Sequence, residues 1–390
     1  MPIIPRVLEL QDELAAIRRD IHAHPELGFE ESRTSDLVAG KLTEWGIEVH
    51  RGLGGTGVVG TIRRGNATRA IGLRADMDAL PITEANEFDH RSRNDGKMHA
   101  CGHDGHTTML LGAARYLAET RNFDGTVHVI FQPAEEGLGG GRKMVEEGLF
   151  DRFPCDAVFA MHNKPGIAVG EMATRPGPLL ASSDRFDIRV RSKGTHAAHP
   201  HLGVDPFVIG AQIVLALQTI ASRNVDPIQS AVVSIGFMKG GSTYNVIPGE
   251  LHIGGTVRTF RNDVQDLIER RIGEVARGIA ETHGGTAELD YRRGYPPTVN
   301  HAAEAEFAAD VAAEICGEAK VERNIAPSMC GEDFSYMLQK VPGAMLWLGN
   351  GPGEGGCFLH NPRYDFNDRA LPIGVSFFAR VVERFLEKRE

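Results

Sequence analysis

Short β-branched runs alternate with helical stretches through the first half of this chain, and that alternation limits the folds open to it. Residues 58–62 and 70–73 read as strands, 103–120 as a helix and 126–131 as a strand; a helix then runs through Glu147, and 157–161 is a further strand. Such an order predicts an α/β fold: a mostly parallel sheet with helices on both faces. In an open sheet of this kind, chemistry collects beyond the carboxyl ends of the strands. The unusual residues fall at those ends. Asp76 and Asp78 follow the second strand, Glu135 and Glu136 the third, and His162 and Asn163 the fourth.

The densest cluster precedes the helix at 103–120. His99, Cys101, His103 and His106 put a thiol and three imidazoles within eight residues, with Gly102 free to turn the backbone so that neighbouring side chains converge. Thiolate suits thiophilic metals such as Zn, and imidazole suits Zn, Mn, Fe and Ni. A core cysteine flanked by helix-terminal histidines is the plainer alternative. More metal-type groups come from far along the chain: Glu135, Glu136, His162 and, on a late loop, His360. A structural zinc usually draws its ligands from one or two compact knuckles, whereas ligands gathered from separate strand ends point to a catalytic centre.

Two glycine-rich stretches invite other readings. In GLGGTG, Gly52, Gly54 and Gly57 have dinucleotide-binding spacing, but a strand follows where that motif needs a helix, so a hairpin turn is expected. In QPAEEGLGGGRKM, Lys143 is followed by Met144 and not by Ser or Thr, which excludes a phosphate-binding P-loop. The N-terminal region reads as amphipathic helices at 6–24, stopped by Pro25, and at 32–45.

From residue 182 the pattern changes to strand 184–191, helix 206–222, strands 230–238 and 250–260, helix 263–282 and strand 286–293. That β-α-β-β-α-β order predicts an inserted ferredoxin-like α+β domain. The expected division is a catalytic domain at 1–181, an inserted lid and dimerisation domain at 182–297, and the rest of the catalytic domain at 298–390, with GPLLASS and YPPTVN as hinges. A helix at 302–315, a strand at 344–348 and a final helix at 371–386 complete the chain.

With 52 acidic against 42 basic residues, the net charge of −10 argues against a broad surface for nucleic acid or anionic membrane. Small molecules are the expected partners. The first residues have no basic leader followed by an apolar run, no stretch approaches a membrane-spanning length, and five scattered cysteines fit a reducing compartment. A cytoplasmic protein is expected.

The motifs HAHPELGFEE, RADMDALPI, MHACGHDGH, QPAEEGLGGG, MHN, GTHAAHP, NVIPGE, GTVRTF, GEDFSY and LHNP run through nearly the whole chain. In this order they resemble the metal-dependent aminoacylase and hippurate hydrolase group of amidohydrolases, which includes plant hydrolases of auxin amino-acid conjugates. The resemblance implies two divalent ions per chain (Mn, Zn, Co or Ni) in a di-metal peptidase-like catalytic domain. Cys101 would bridge them, with His103 and His162 on one ion and Glu136 and His360 on the other. Glu135 would be general base and acid, and Asp78 would orient an imidazole ligand. His196 of GTHAAHP would stabilise the oxyanion, with His199 as its local rival. Asn245 and Arg258 would hold the substrate carboxylate, and Gly331 would lie against the substrate. On spacing alone, an exposed salt bridge is an equal alternative for Arg258. His99 and His106 find no ligand role. Where the family often has an aromatic after MHN, this chain has Lys164.

The implied activity is hydrolysis of the amide bond of N-acyl amino acids, hippurate-like or N-acetyl. A metal-dependent dipeptidase or carboxypeptidase is the alternative. A catalytically silent binding protein is a third reading, weakened by the presence of Glu135 and all five implied ligands. The helix at 206–222 has apolar residues on most faces, which predicts a partner surface and a homodimer or higher homo-oligomer through the inserted domain.

Overall fold

A computed structural model describes residues 3–351 and 357–388. The chain opens with α1 (Pro5–Glu9), α2 (Gln11–Ala23) and α3 (Ser32–Glu44), then β1 (Glu48–Leu53), β2 (Gly57–Arg64), β3 (Ala70–Asp76) and α4 (His103–Thr120). It continues through β4 (Gly125–Gln132), α5 (Gly140–Glu146), β5 (Ala157–Lys164) and β6 (Met172–Ala173). Next come β7 (Ser183–Arg191), α6 (Pro206–Thr219), β8 (Ala231–Gly240), β9 (Glu250–Thr259), α7 (Asn262–Thr282) and β10 (Thr286–Tyr295). Helix α8 (Ala302–Cys316), β11 (Val321–Glu322), β12 (Gly343–Gly349) and α9 (Leu371–Phe385) close it.

Contacts divide the chain into two units. The first holds Met1–Leu179, Val299–Ala326 and Asp333–Glu390; the second holds Leu180–Thr298 and Pro327–Glu332. Residues 327–332 thus pack with the second unit, although they lie beyond the insertion drawn from the sequence. No hydrophobic period marks so short a return.

In the first unit, eight strands pair in the order β1-β2-β4-β3-β5-β12-β6-β11. The four central strands run parallel, and β1, β2 and the β12–β6 pairing are antiparallel. Strands β3 and β12 are buried at every one of their seven positions, as helices on both faces require. Because β3, β4 and β5 are parallel neighbours, Asp76, the residues after Gln132, and His162 lie along one edge of the sheet.

Several expectations need correction. The helix at 6–24 is broken at Leu10, whose N–H turns back to Val7 O at 3.2 Å, and it ends at Ala23 because His24, held before Pro25, leaves the helical region. Strand β1 was not expected, since EVHRGL has no clean apolar alternation and is an edge strand. Asp76, His162 and Asn163 lie within their strands and not past the ends. One helical stretch, Pro206–Asn224, is long and apolar enough by length and composition to cross a membrane, contrary to the expectation that none is. Its Ile209, Ile213, Leu217 and Ile220 are packed into the second unit's core.

That second unit orders its strands β8-β9-β7-β10, antiparallel throughout, with α6 and α7 against one face. Phe186, Ile188 and Val190 of β7 alternate into the core, while Arg185, Asp187, Arg189 and Arg191 point the other way. This is the ferredoxin-like arrangement expected from the order of elements.

Candidate metal centre

Three backbone features bring the candidate ligands of the first unit together. Gly102 precedes α4 at φ 93°, and a Cβ there would lie 2.3 Å from Asn163 Oδ1 and 2.7 Å from the Tyr364 hydroxyl. Only glycine makes that turn, which carries Cys101 and His103 to the sheet edge. After β4, Ala134 adopts φ 54° and reverses the chain into Glu135 and Glu136. His360 is likewise left-handed at φ 63°, and its N–H donates to Ala100 O at 2.7 Å, tying the late loop to the Cys101 segment.

The side chains then converge. Ligand atoms of Cys101, His103 and His162 all lie within 4.8 Å of one another, and so do those of Cys101, Glu136 and His360. Cys101 is common to both groups. Its Sγ is 3.4 Å from His162 Nε2, and His360 Nε2 is 3.3 Å from Glu136 Oε1. Glu135 joins His103 and Glu136 in a third overlapping group. The Nε2 atom of His103 is buried with no hydrogen-bond partner among the described residues, an arrangement that costs free energy unless something takes its lone pair. A thiol, three imidazoles and a carboxylate in two groups sharing the sulfur fit a pair of thiophilic or borderline divalent ions.

Electrostatics point the same way. Burial, with Glu136 and Glu135 beside it, pushes the Cys101 thiol well up, so a nearby cation is needed to hold it as thiolate. Burial and the neighbouring His106 hold His162 well below the ordinary histidine range, leaving it neutral with the Nε2 lone pair facing Cys101 Sγ. For His103, burial opposes protonation but Asp76 and Asp78 outweigh it, raising the group to about 10. In the bare protein a proton therefore occupies the place a cation would take.

A second layer of buried polar residues holds these groups. Asp78 Oδ1 is 3.3 Å from His103 Nδ1, and its two oxygens also accept from the N–H groups of Glu135 and Glu136 at 3.0 and 2.9 Å. Asp76, His103 and His106 form another group with metal-type atoms. The oxygens of Asp76 are already engaged by His106 Nδ1 at 2.6 Å and Arg74 Nη1 at 2.8 Å, so we read that trio as support. His106 Nε2 reaches Asn163, and Asn163 donates to the Tyr364 hydroxyl at 2.5 Å. His99 is buried with neither ring nitrogen paired among the described residues, and burial lowers it to about 3, so it stays neutral.

Sequence reasoning missed the rest of this layer. His22 Nδ1 is 2.8 Å from Asp104 Oδ2 and its Nε2 is 3.1 Å from Glu84, while Arg18 spans Asp104, Asp365 and Asp368. Burial opposes protonation of His22, but Asp104 and Glu84 raise it to about 9. Arg74 joins Asp76, Gln132 and Asp333. Apart from Arg74 and Asp76, two residues apart, these partners lie tens to hundreds of residues apart, and no spacing announces them.

The second unit holds the remaining candidates. His196 pairs with Val246 in a two-residue ladder, and Ala197 N–H donates to Asn245 O at 2.9 Å, so His196 and Asn245 are neighbours. His196 Nδ1 accepts from the Ala198 N–H at 3.0 Å, which leaves Nε2 as the N–H of the neutral ring. His199 stacks obliquely against His196, with ring centroids 5.6 Å apart. Arg258 is half-buried on β9. Among the described residues it donates to the Thr256 hydroxyl and Val257 O and to no carboxylate, so the exposed salt bridge is not its role. A Cβ at Gly331 would lie 2.9 Å from Ser183 Cβ, so packing by itself already requires glycine there. Lys164, in the first unit, holds its ammonium 4.3 Å above the Trp347 ring.

Known proteins can now be set beside this geometry. The chain is 43% identical over 387 residues to the hippurate hydrolase of Campylobacter jejuni, covering 99% of this chain and 100% of that one. It is 40% identical to the N-acetyl-L-cysteine deacetylase of Bacillus subtilis, covering 98% and 90%. Among solved structures, a dinuclear metal binding peptidase of Bacillus subtilis superposes with a TM-score of 0.86 at 35% identity, covering 98% of this chain and 100% of the other. Residues 72–384 match the model of peptidase family M20/M25/M40, and with both parts of the metal-type cluster inside that span, the chain belongs to this family.

Proposed function

We propose that this protein hydrolyses the amide bond of N-acyl amino acids, releasing a carboxylate and a free amino acid, with two divalent cations. The observation that carries the reading is Cys101 standing in two ligand groups at once, one completed by His103 and His162 and the other by Glu136 and His360. The names of the relatives, a hippurate hydrolase and an N-acetyl-L-cysteine deacetylase, support the substrate class. When bound, the two cations would supply Lewis acidity toward water and the amide carbonyl.

The chain's own groups do the rest. Glu135 takes the proton of the attacking water and returns it to the leaving nitrogen, which would otherwise depart as an unstable amide anion. Asp78 fixes the His103 ring through Nδ1, so that Nε2 would be the atom left to hold a cation. His196, with Nε2–H free to donate, suits a developing oxyanion. Arg258 and Asn245 suit the carboxylate of the amino-acid half, since an arginine fork with no carboxylate partner among the described residues is ready for an anion. Gly331, where the absence of a side chain lets the backbone come close, would lie against that half.

A substrate panel with metal-replete protein tests the reading. N-benzoylglycine and N-acetyl amino acids are expected to turn over at least about tenfold faster in kcat/KM than the corresponding unblocked dipeptides, because a free ammonium needs an anionic partner at the acyl end. Faster cleavage of the unblocked dipeptides would make the protein a peptidase instead.

We further propose a cytoplasmic homodimer formed through the second unit. Phe207, Val208 and Leu215 of α6 are exposed, Leu215 by 71%, beside the unpaired outer edge of β8 with its exposed Phe237 and Met238. The five cysteines are all free, in keeping with a reducing setting. Sedimentation is expected to give about twice the chain mass of 42.4 kDa. A species at the chain mass would remove this proposal.

A further inference from the structure

Apart from His22, the segment HAHPELGFEE supplies none of the groups described above, yet it braces two of the loops that deliver them. Ala79, next to Asp78, donates its N–H to Glu26 O at 2.8 Å and pairs with Leu27 in an isolated parallel bridge. A Cβ at Gly28 would come within 2.8 Å of Leu138 and 3.0 Å of Ala134, so the segment lies directly on the loop after β4. Glu31 is fully buried. Its Oε1 accepts the Ala134 N–H at 2.8 Å, and its Oε2 accepts the Thr56 hydroxyl at 2.6 Å.

No cation pairs with Glu31 among the described residues, and burial pushes its carboxyl above the usual range. A group so expensive to bury needs a purpose. Its position before α3 offers partial compensation, since a helix N-terminus favours negative charge. What it holds is a strained residue. Ala134 is fully buried at φ 54°, a left-handed conformation that an L-residue keeps only where its surroundings over-determine it. From that turn Glu135 and Glu136 both direct their N–H groups onto Asp78.

We propose that Glu31 is the positioning residue of the general base: by gripping the Ala134 N–H it sets the left-handed turn from which Glu135 enters the centre. The proposal rests on Glu135 being the base, a reading tested separately by Glu135→Gln. Small misplacements of a catalytic group are costly, about 1 Å being worth up to about 10²-fold.

Two variants separate positioning from simple packing. Glu31→Gln keeps an acceptor oxygen at the same reach, and Glu31→Leu removes it. The glutamine variant is expected to keep kcat within about threefold of the parent. The leucine variant should lose about ten- to a hundredfold in kcat, with KM within about threefold and metal content unchanged. In metal-free protein, amide exchange over residues 130–138 should quicken in the leucine variant and stay slow in the glutamine variant. Should Glu31→Leu not fold, Thr56→Val removes the hydroxyl that aims the carboxylate, and kcat is expected to fall about three- to tenfold at unchanged KM. Full kcat in the leucine or valine variant, a glutamine variant as impaired as the leucine one, or a loss that tracks metal content overturns the proposal. An active Glu135→Gln enzyme would instead overturn the reading on which it stands.

Discussion

Glu135→Gln is expected to bind both metals and substrate about as well as the parent and to lose at least about 10²-fold in kcat, the low end of what general acid and base catalysis contributes. The amide keeps the size of the carboxylate and leaves the backbone N–H on Asp78 undisturbed, but it cannot accept a proton from water or return one to nitrogen. Glu136→Gln should behave oppositely, losing metal before anything else, because Glu136 shares a ligand group with Cys101 and His360. Steady-state kinetics beside elemental analysis distinguish the two. If Glu135→Gln sheds metal while Glu136→Gln retains it and loses kcat, the two roles are exchanged along the loop.

Cys101→Ala has the second large consequence. The sulfur stands in both ligand groups, so its removal should take the chain from about two bound ions to about none under metal-limited dialysis, whereas His162→Ala should weaken one group only. The thermal response is expected to follow. Saturating metal should raise the melting temperature of the parent, since whatever binds the folded state alone stabilises it, and should leave that of Cys101→Ala nearly unchanged. Retention of two ions by Cys101→Ala would mean that the sulfur lies beside the metals without bridging them.

The order of elements was more legible in the sequence than the breaks and edges within it, and the difference is physical. Helix α4, the β4 and β5 strands and the ferredoxin-like order of the second unit could be read because apolar period and β-branching are local properties of consecutive residues. The same locality hid the break at Leu10, which no proline or glycine marks, and the edge strand β1, whose side chains mix polar and apolar without period. It also hid the return of residues 327–332 to the second unit.

Chemistry divides along the same line. Residue types and their order were enough to nominate Cys101, His103, Glu135, Glu136, His162 and His360, since a thiol, imidazoles and paired carboxylates at strand ends are rare for structural reasons alone. What the sequence could not decide was who supports them. Arg18, His22, Arg74 and Glu31 look like ordinary surface residues in a linear reading, because a charged side chain is usually solvated. Only the fold buries them and supplies their partners: Asp104 lies 82 residues from His22, Asp333 lies 259 from Arg74, and Ala134 lies 103 from Glu31. Burial and pairing at that separation are products of chain packing, so the candidate ligands could be nominated from the sequence while the frame around them was decided by tertiary structure.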